Sequence, residues 1–167
     1  MMMDEQDHTH QELTEYREEL LSTLEALAGA LSVTAGKIKS NHWHIPSQPG
    51  GYSPHYILTR LLVLEEQVYA AYLRHILDEA MQELPHFDEV AWMARHYDPQ
   101  KPLPAILDEF MRLRKVEVDR LRVLTPGDWN RLSRHPWWGV RTLQWWMEHQ
   151  LKVSLQHLRD LEASIAQ

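Results

Sequence analysis

Apolar residues recur every three or four positions in four long stretches of this chain, and no sustained apolar–polar alternation interrupts them. A chain patterned this way buries helix stripes rather than sheet faces, so the expected fold class is all-α, a four-helix bundle. The first helix is expected from Thr9, where Thr9-x-x-Glu12 has the form of a capping box, to near Gly36, with Leu13, Tyr16, Leu20, Leu24, Leu27 and Leu31 inward. A connection from Lys37 to Tyr52 ends in Ser53-Pro54, an N-cap followed by a first-turn proline. The second helix then carries Ile57, Leu61, Leu64, Val68 and Tyr72 and is expected to reach about Glu83, before Pro85. A short extra helix is expected between Phe87 and Tyr97. Pro99, Pro102 and Pro104 introduce a third long helix reaching Leu124, which Thr125-Pro126-Gly127 ends. Thr142 is the expected N-cap of the fourth, whose seam runs Met147, Leu151, Ser154, Leu158, Leu161 and Ile165.

At 167 residues this pattern makes one domain, 1–167, with residues 1–8 expected to be flexible. There is no cysteine, which excludes disulfides, thiolate metal sites and cysteine nucleophiles. The start Met1-Met2-Met3-Asp4-Glu5 has no basic or apolar leader character and the apolar runs are short, so a cytoplasmic protein without a membrane partner is expected. Seventeen Lys plus Arg against 24 Asp plus Glu give a formal charge of −7, which repels phosphate backbones and argues against nucleic-acid binding. The stretch Arg112 to Arg122, interleaved with Glu117 and Asp119, reads as a solvated helix face.

The last quarter narrows the fold further. Asp128-Trp129-Asn130-Arg131 is followed by His135-Pro136-Trp137-Trp138-Gly139, then Thr142-Leu143 opening a helix that carries His149, Val153 and His157. On the second helix the chain reads Tyr52-Ser53-Pro54-His55-Tyr56-Ile57-Leu58-Thr59-Arg60-Leu61-Leu62-Val63-Leu64-Glu65. Together these segments resemble the DinB-like superfamily of four-helix-bundle metalloproteins. The resemblance implies a site for a divalent ion such as zinc or nickel, held by one histidine of the second helix and an H-x-x-x-H pair of the fourth. Here those positions are Arg60, Val153 and His157, so one ligand of three is retained; the aspartate that follows falls on Val63, and the glutamate is kept as Glu65.

Valine donates nothing and a guanidinium keeps its proton, so the expected site is degenerate and the chain is expected to hold no metal. Its remnant, with Arg60, Glu65, His149, Val153, His157 and Asp160, is the expected pocket. Arg60 is read as a fixed charge in place of the ion, partnered by Glu65, Glu66 or Asp160 and able to meet an anion. His149 and His157, eight apart, lie about 80° and roughly 12 Å from each other on a helix, too far to share an ion. His42-Trp43-His44 and His8-Thr9-His10 lack a third donor fixed by spacing, and His135 reads as a loop histidine bonded to backbone. Trp145 and Trp146 cannot both face one core, so one tryptophan of each adjacent pair, including Trp137-Trp138, is expected at a pocket or at a homodimer interface.

Two functions follow. One is a metal-free bundle binding a small anionic or thiol ligand, or serving in stress response. The other, implied by the resemblance to bacillithiol and mycothiol transferases, is a metal-dependent thiol S-transferase or hydrolase using His157 and non-standard ligands.

Overall fold

The four apolar stretches fold into four helical rods. The computed structural model describes residues 2–79 and 83–166, with side chains from residue 8 onward. The first rod is α1 (Met2–Gly36). The second comprises α2 (Pro54–Leu64), a π-helical segment (Glu65–Ala70) and α3 (Ala71–Leu77) in succession. After α4 (Glu89–His96), the third rod is α5 (Leu103–Arg122). A single turn, α6 (Pro126–Trp129), and a hairpin of β1 (Leu132–His135) and β2 (Gly139–Thr142) lead into the fourth rod, α7 (Leu143–Ile165). α1 packs on α5 and α7, and α2 packs on the same two, so α1 and α2 occupy opposite corners of the bundle. No helix of the described residues is long and apolar enough to cross a membrane.

Local chemistry sets most of the boundaries. Ser53 Oγ accepts from the Tyr56 amide at 3.3 Å and Pro54 opens the first turn of α2. Thr142 Oγ1 accepts from the Trp145 amide at 3.1 Å, making it the N-cap of α7. Asp88 caps α4 through the Ala91 amide at 2.9 Å.

Four details depart from the sequence expectations. α1 starts at Met2, so Thr9 lies inside it, and Leu13 and Tyr16 are exposed because this end of the helix extends past the packed core. The second rod ends at Leu77 rather than near Glu83; residues 80–82 lie outside the described residues. The hairpin was not expected, since four-residue strands are too short to establish a period. It pairs His135 with Gly139, whose positive φ of 67° suits a residue without a side chain, and it turns Ser133 and His135 inward.

The fourth departure lies at the centre. Arg114 and Glu117 belong to the supposedly solvated face of α5, yet both are buried. One apolar cluster, with Leu24, Tyr72, Val118 and Trp146, packs toward the hairpin. Another, with Leu31, Leu61, Phe110 and Leu161, packs toward the far end. Between them lies a polar layer. Arg114 forks onto Glu65, with Nη2 to Oε2 at 2.9 Å, and also donates to Ser154 Oγ at 3.0 Å and the Leu24 carbonyl at 2.8 Å. Gln150 Nε2 bridges Glu65 and Glu117, 3.1 Å from each. Burial alone would raise the Glu65 carboxyl, but the guanidinium beside it holds it below the usual carboxylate range. Burial and the charge of Glu65 push Glu117 well above that range. Glu117 Oε1 has no donor, as expected of a carboxyl that must carry its own proton.

Candidate functional site

A cavity of about 240 Å³ opens between the second rod and α7, roofed by α4 and the hairpin. Arg60 from α2 and His149, Val153 and His157 from successive turns of α7 all line it. Glu65 and Asp160, expected with them, do not. Glu65 points into the polar layer, committed to Arg114, and Asp160 turns along α7 to accept from Gln156 at 3.0 Å. Residues not singled out from sequence join the cavity instead, among them His86, Phe87 and Glu89. They enter through the 83–96 segment, whose fold over the cavity has no local sequence signal.

Arg60 meets Glu89. Its Nε and Nη2 reach the two carboxylate oxygens, so the pair is bidentate and the expected partners Glu65, Glu66 and Asp160 are not used. The guanidinium expected to be available to an anion therefore already has a carboxylate on it.

His157 is the most informative side chain. Its Nδ1 lies 2.8 Å from the Val153 carbonyl, one turn back on α7. A carbonyl only accepts, so Nδ1 carries the hydrogen and Nε2 of the neutral ring is a bare acceptor. That Nε2 is buried and has no partner, while the residue is only 5% exposed. Burial, with Arg60 adding to it, holds His157 below the ordinary imidazole value despite the opposing Val153 carbonyl, which keeps the ring neutral.

The other histidines are placed by aromatic neighbours. His135 Nδ1 accepts from the amides of Trp137 and Trp138 at 3.1 and 3.2 Å, so its hydrogen sits on Nε2. Burial lowers its affinity for a second proton, with His86 adding a smaller effect. His149 Nδ1 is 3.0 Å from Tyr69 Oη, and its ring stacks on Trp145 at 5.2 Å. Burial lowers His149 too and pushes the Tyr69 hydroxyl far up, so Tyr69 stays a phenol. Tyr72, pushed up to about 12 by burial, donates to the Pro85 carbonyl at 2.8 Å and ties the segment after α3 to the cavity wall.

The tryptophan pairs divide as adjacent positions require. Trp146 is buried and donates through Nε1 to Ser133 at 3.1 Å, whereas Trp145 is half-buried. Trp137 and Trp138 remain exposed at the cavity mouth, with Trp137 4.0 Å from the His86 ring.

These residues do not fit a divalent ion. Zinc or nickel needs three or more imidazole or carboxylate donors at one point. Arg60 and Val153 supply none, and among the described residues no three His, Cys, Asp or Glu side chains converge. His42 and His44 are exposed, and His8 pairs with Glu12 at 3.2 Å.

The fold has solved counterparts. YfiT from Bacillus subtilis, described as a probable metal-dependent hydrolase with an unusual four-helix bundle topology, is similar at a TM-score of 0.74 and 19% identity, over 88% of this chain and 84% of that one. TT2238, a four-helix bundle protein, is similar at a TM-score of 0.65 and 19% identity, over 88% of this chain and 98% of that one. No family model matches the sequence, and no curated protein matches it either. At these identities the likeness is one of fold, and it establishes the all-α four-helix bundle.

Proposed function

We propose that this chain is a DinB-like bundle protein without a metal centre, whose cavity between the second rod and α7 binds a small organic molecule. The observation that carries this reading is the cavity of about 240 Å³ whose lining brings together the three ligand positions of the DinB-like pattern, of which His157 alone is a histidine and the other two hold Arg60 and Val153. The ion-paired Arg60 occupies the space of a metal ligand while adding no net charge to the cavity with Glu89.

Elemental analysis of untagged protein, together with calorimetry against zinc and nickel, tests the reading. Substoichiometric metal and no tight binding are expected. A retained equimolar ion would favour instead the metal-dependent hydrolase or thiol transferase, the alternative that the description of YfiT keeps open.

A further inference from the structure

We infer that a second pocket, formed by α1, the end of α5 and α6, binds a small organic carboxylate through the buried guanidinium of Arg17. This pocket shares no lining residue with the cavity described above, so the inference stands apart from the reading of that cavity.

Two arginines of the described residues are buried, Arg114 and Arg17. Arg114 has Glu65 on its fork. Arg17, only 7% exposed, has no carboxylate in ion-pair reach among the described residues. Its Nε donates to Gln144 Oε1 at 2.9 Å, its Nη2 to Asn130 Oδ1 at 3.5 Å, and its Cζ lies 5.5 Å from the centre of the Trp129 ring. The acid of this network, Glu148, is one hydrogen bond further on, accepting from Gln144 Nε2 at 3.1 Å. Amide oxygens and a ring face carry only partial charge, so a full positive charge is withdrawn from water without a counter-charge. Burial lowers the proton affinity of Arg17 and no acid offsets it, yet a guanidinium keeps its proton.

The pocket has a volume of about 290 Å³, with Leu21, Leu121 and Trp129 among its walls. Nη1 of Arg17 has no partner in the protein and is not closed off from solvent, so a ligand can reach it. The Asn130 contact stands at the limit of a hydrogen bond, and Nη2 can exchange it for a stronger acceptor. Together Nη1 and Nη2 make an end-on fork that a carboxylate matches with two parallel hydrogen bonds, while the apolar walls suit a short aliphatic or single-ring body. Charge limits the anion. Glu18 and Arg122, also in the lining, pair with each other at 3.3 Å, which leaves Arg17 to be balanced by one negative charge. A dianion would bring a surplus charge beside Glu18 in a chain whose formal charge is already −7.

The test is calorimetry of the full chain with hexanoate, 1-hexanol and inorganic phosphate. These probes carry a carboxylate on an apolar body, the body without the charge, and a charge without the body. Hexanoate should bind at least about tenfold more tightly than 1-hexanol, the worth of a charge-assisted hydrogen bond, and more tightly than phosphate. Arg17→Gln removes the charge and should erase the advantage of hexanoate over 1-hexanol. Pro126→Glu places a negative charge at an exposed position of the lining and should weaken hexanoate several-fold; it decides the matter if Arg17→Gln does not fold. Equal affinities for hexanoate and 1-hexanol, or no binding of hexanoate, would overturn the inference. Phosphate binding most tightly would overturn the carboxylate class in favour of a bare anion site. Hexanoate binding undiminished in both variants would put the ligand elsewhere on the chain and overturn the role of Arg17.

Discussion

Arg114 stands on α5 one turn after Phe110 and one turn before Val118, in a stripe that also holds Ile106 and Leu121. Its charge disguises a core position, and the layer it organises depends on all its members. Removing one partner of a buried ion pair leaves the other charge stranded, so Arg114→Ala should destabilise the fold by about 3–5 kcal/mol in urea unfolding. Glu117 should behave in the opposite way. Its folded-state affinity for a proton is raised, so above about pH 4.5 the unfolded chain releases a proton that the folded chain keeps, and stability falls as pH rises through that window. Glu117→Gln imitates the protonated form and can still donate to Glu65. It should match the wild type near about pH 4 and exceed it near about pH 8, a difference that denaturation at the two values would reveal. Equal stabilities at about pH 8 would mean that the layer does not hold the extra proton.

At the level of elements, the roof of the cavity is built from short pieces, α4 and the hairpin, each held by a few polar contacts. Asp88 starts α4 and the next residue, Glu89, fastens it to Arg60 on α2. The pair is partly exposed, so its worth in stability is small, at most about 1 kcal/mol. Its effect on selectivity should be larger. Glu89→Gln frees the guanidinium fork, and the variant should bind benzoate at least several-fold more tightly than the wild type in a titration followed by the fluorescence of the cavity tryptophans. The Thr142 cap joins the hairpin to α7, and Thr142→Ala should cost about 1 kcal/mol by thermal or chemical unfolding. The π-helical segment carries both Glu65 of the buried layer and Tyr69 of the cavity wall, and residues four apart share nearly one face, so this wide turn sets the buried layer beside the cavity.

Across the whole molecule, four buried or half-buried histidines, three of them in the wall of one cavity, share one tendency. Burial holds His55, His135, His149 and His157 neutral, with proton affinities below the ordinary value near 6.5. Below that pH the unfolded chain takes up protons that the folded chain refuses, so these groups lower stability as the solution is acidified toward their folded values. His157→Phe removes one of them, and its stability should change less than that of the wild type between about pH 7 and 5. The exposed faces of Trp137, at 73%, and Trp138, at 45%, form an apolar patch beside the cavity mouth. Such a patch is the surface from which a homodimer is expected, with light scattering giving twice the chain mass of 19.8 kDa. A single-chain mass at micromolar concentration would remove that expectation.

Helical periodicity, the Ser53-Pro54 start and the Thr142 cap are local properties, and they were enough to indicate the all-α class, four rods and two of the helix starts. That Arg60, Val153, His157 and His149 share one site was implied by the resemblance to the DinB-like pattern rather than by spacing, which cannot say which faces of two helices meet. Three things had no such signal. The partner of Arg60 lies 29 residues away on α4, and only the packed segment 83–96 brings Glu89 to it. Arg114 and Glu117 look solvated in a window of sequence, and Glu65 was expected in the pocket, since a charge reads the same whether it faces water, a ligand or another charge across the core. The hairpin consists of strands too short for periodicity and forms because Gly139 can turn and Ser133 and His135 can face the core. Local pattern determined where the chain is helical. The long-range pairing of charges and the closure of the roof, which require elements remote in sequence to be packed first, decided which polar groups are buried together and which acceptor is left without a partner.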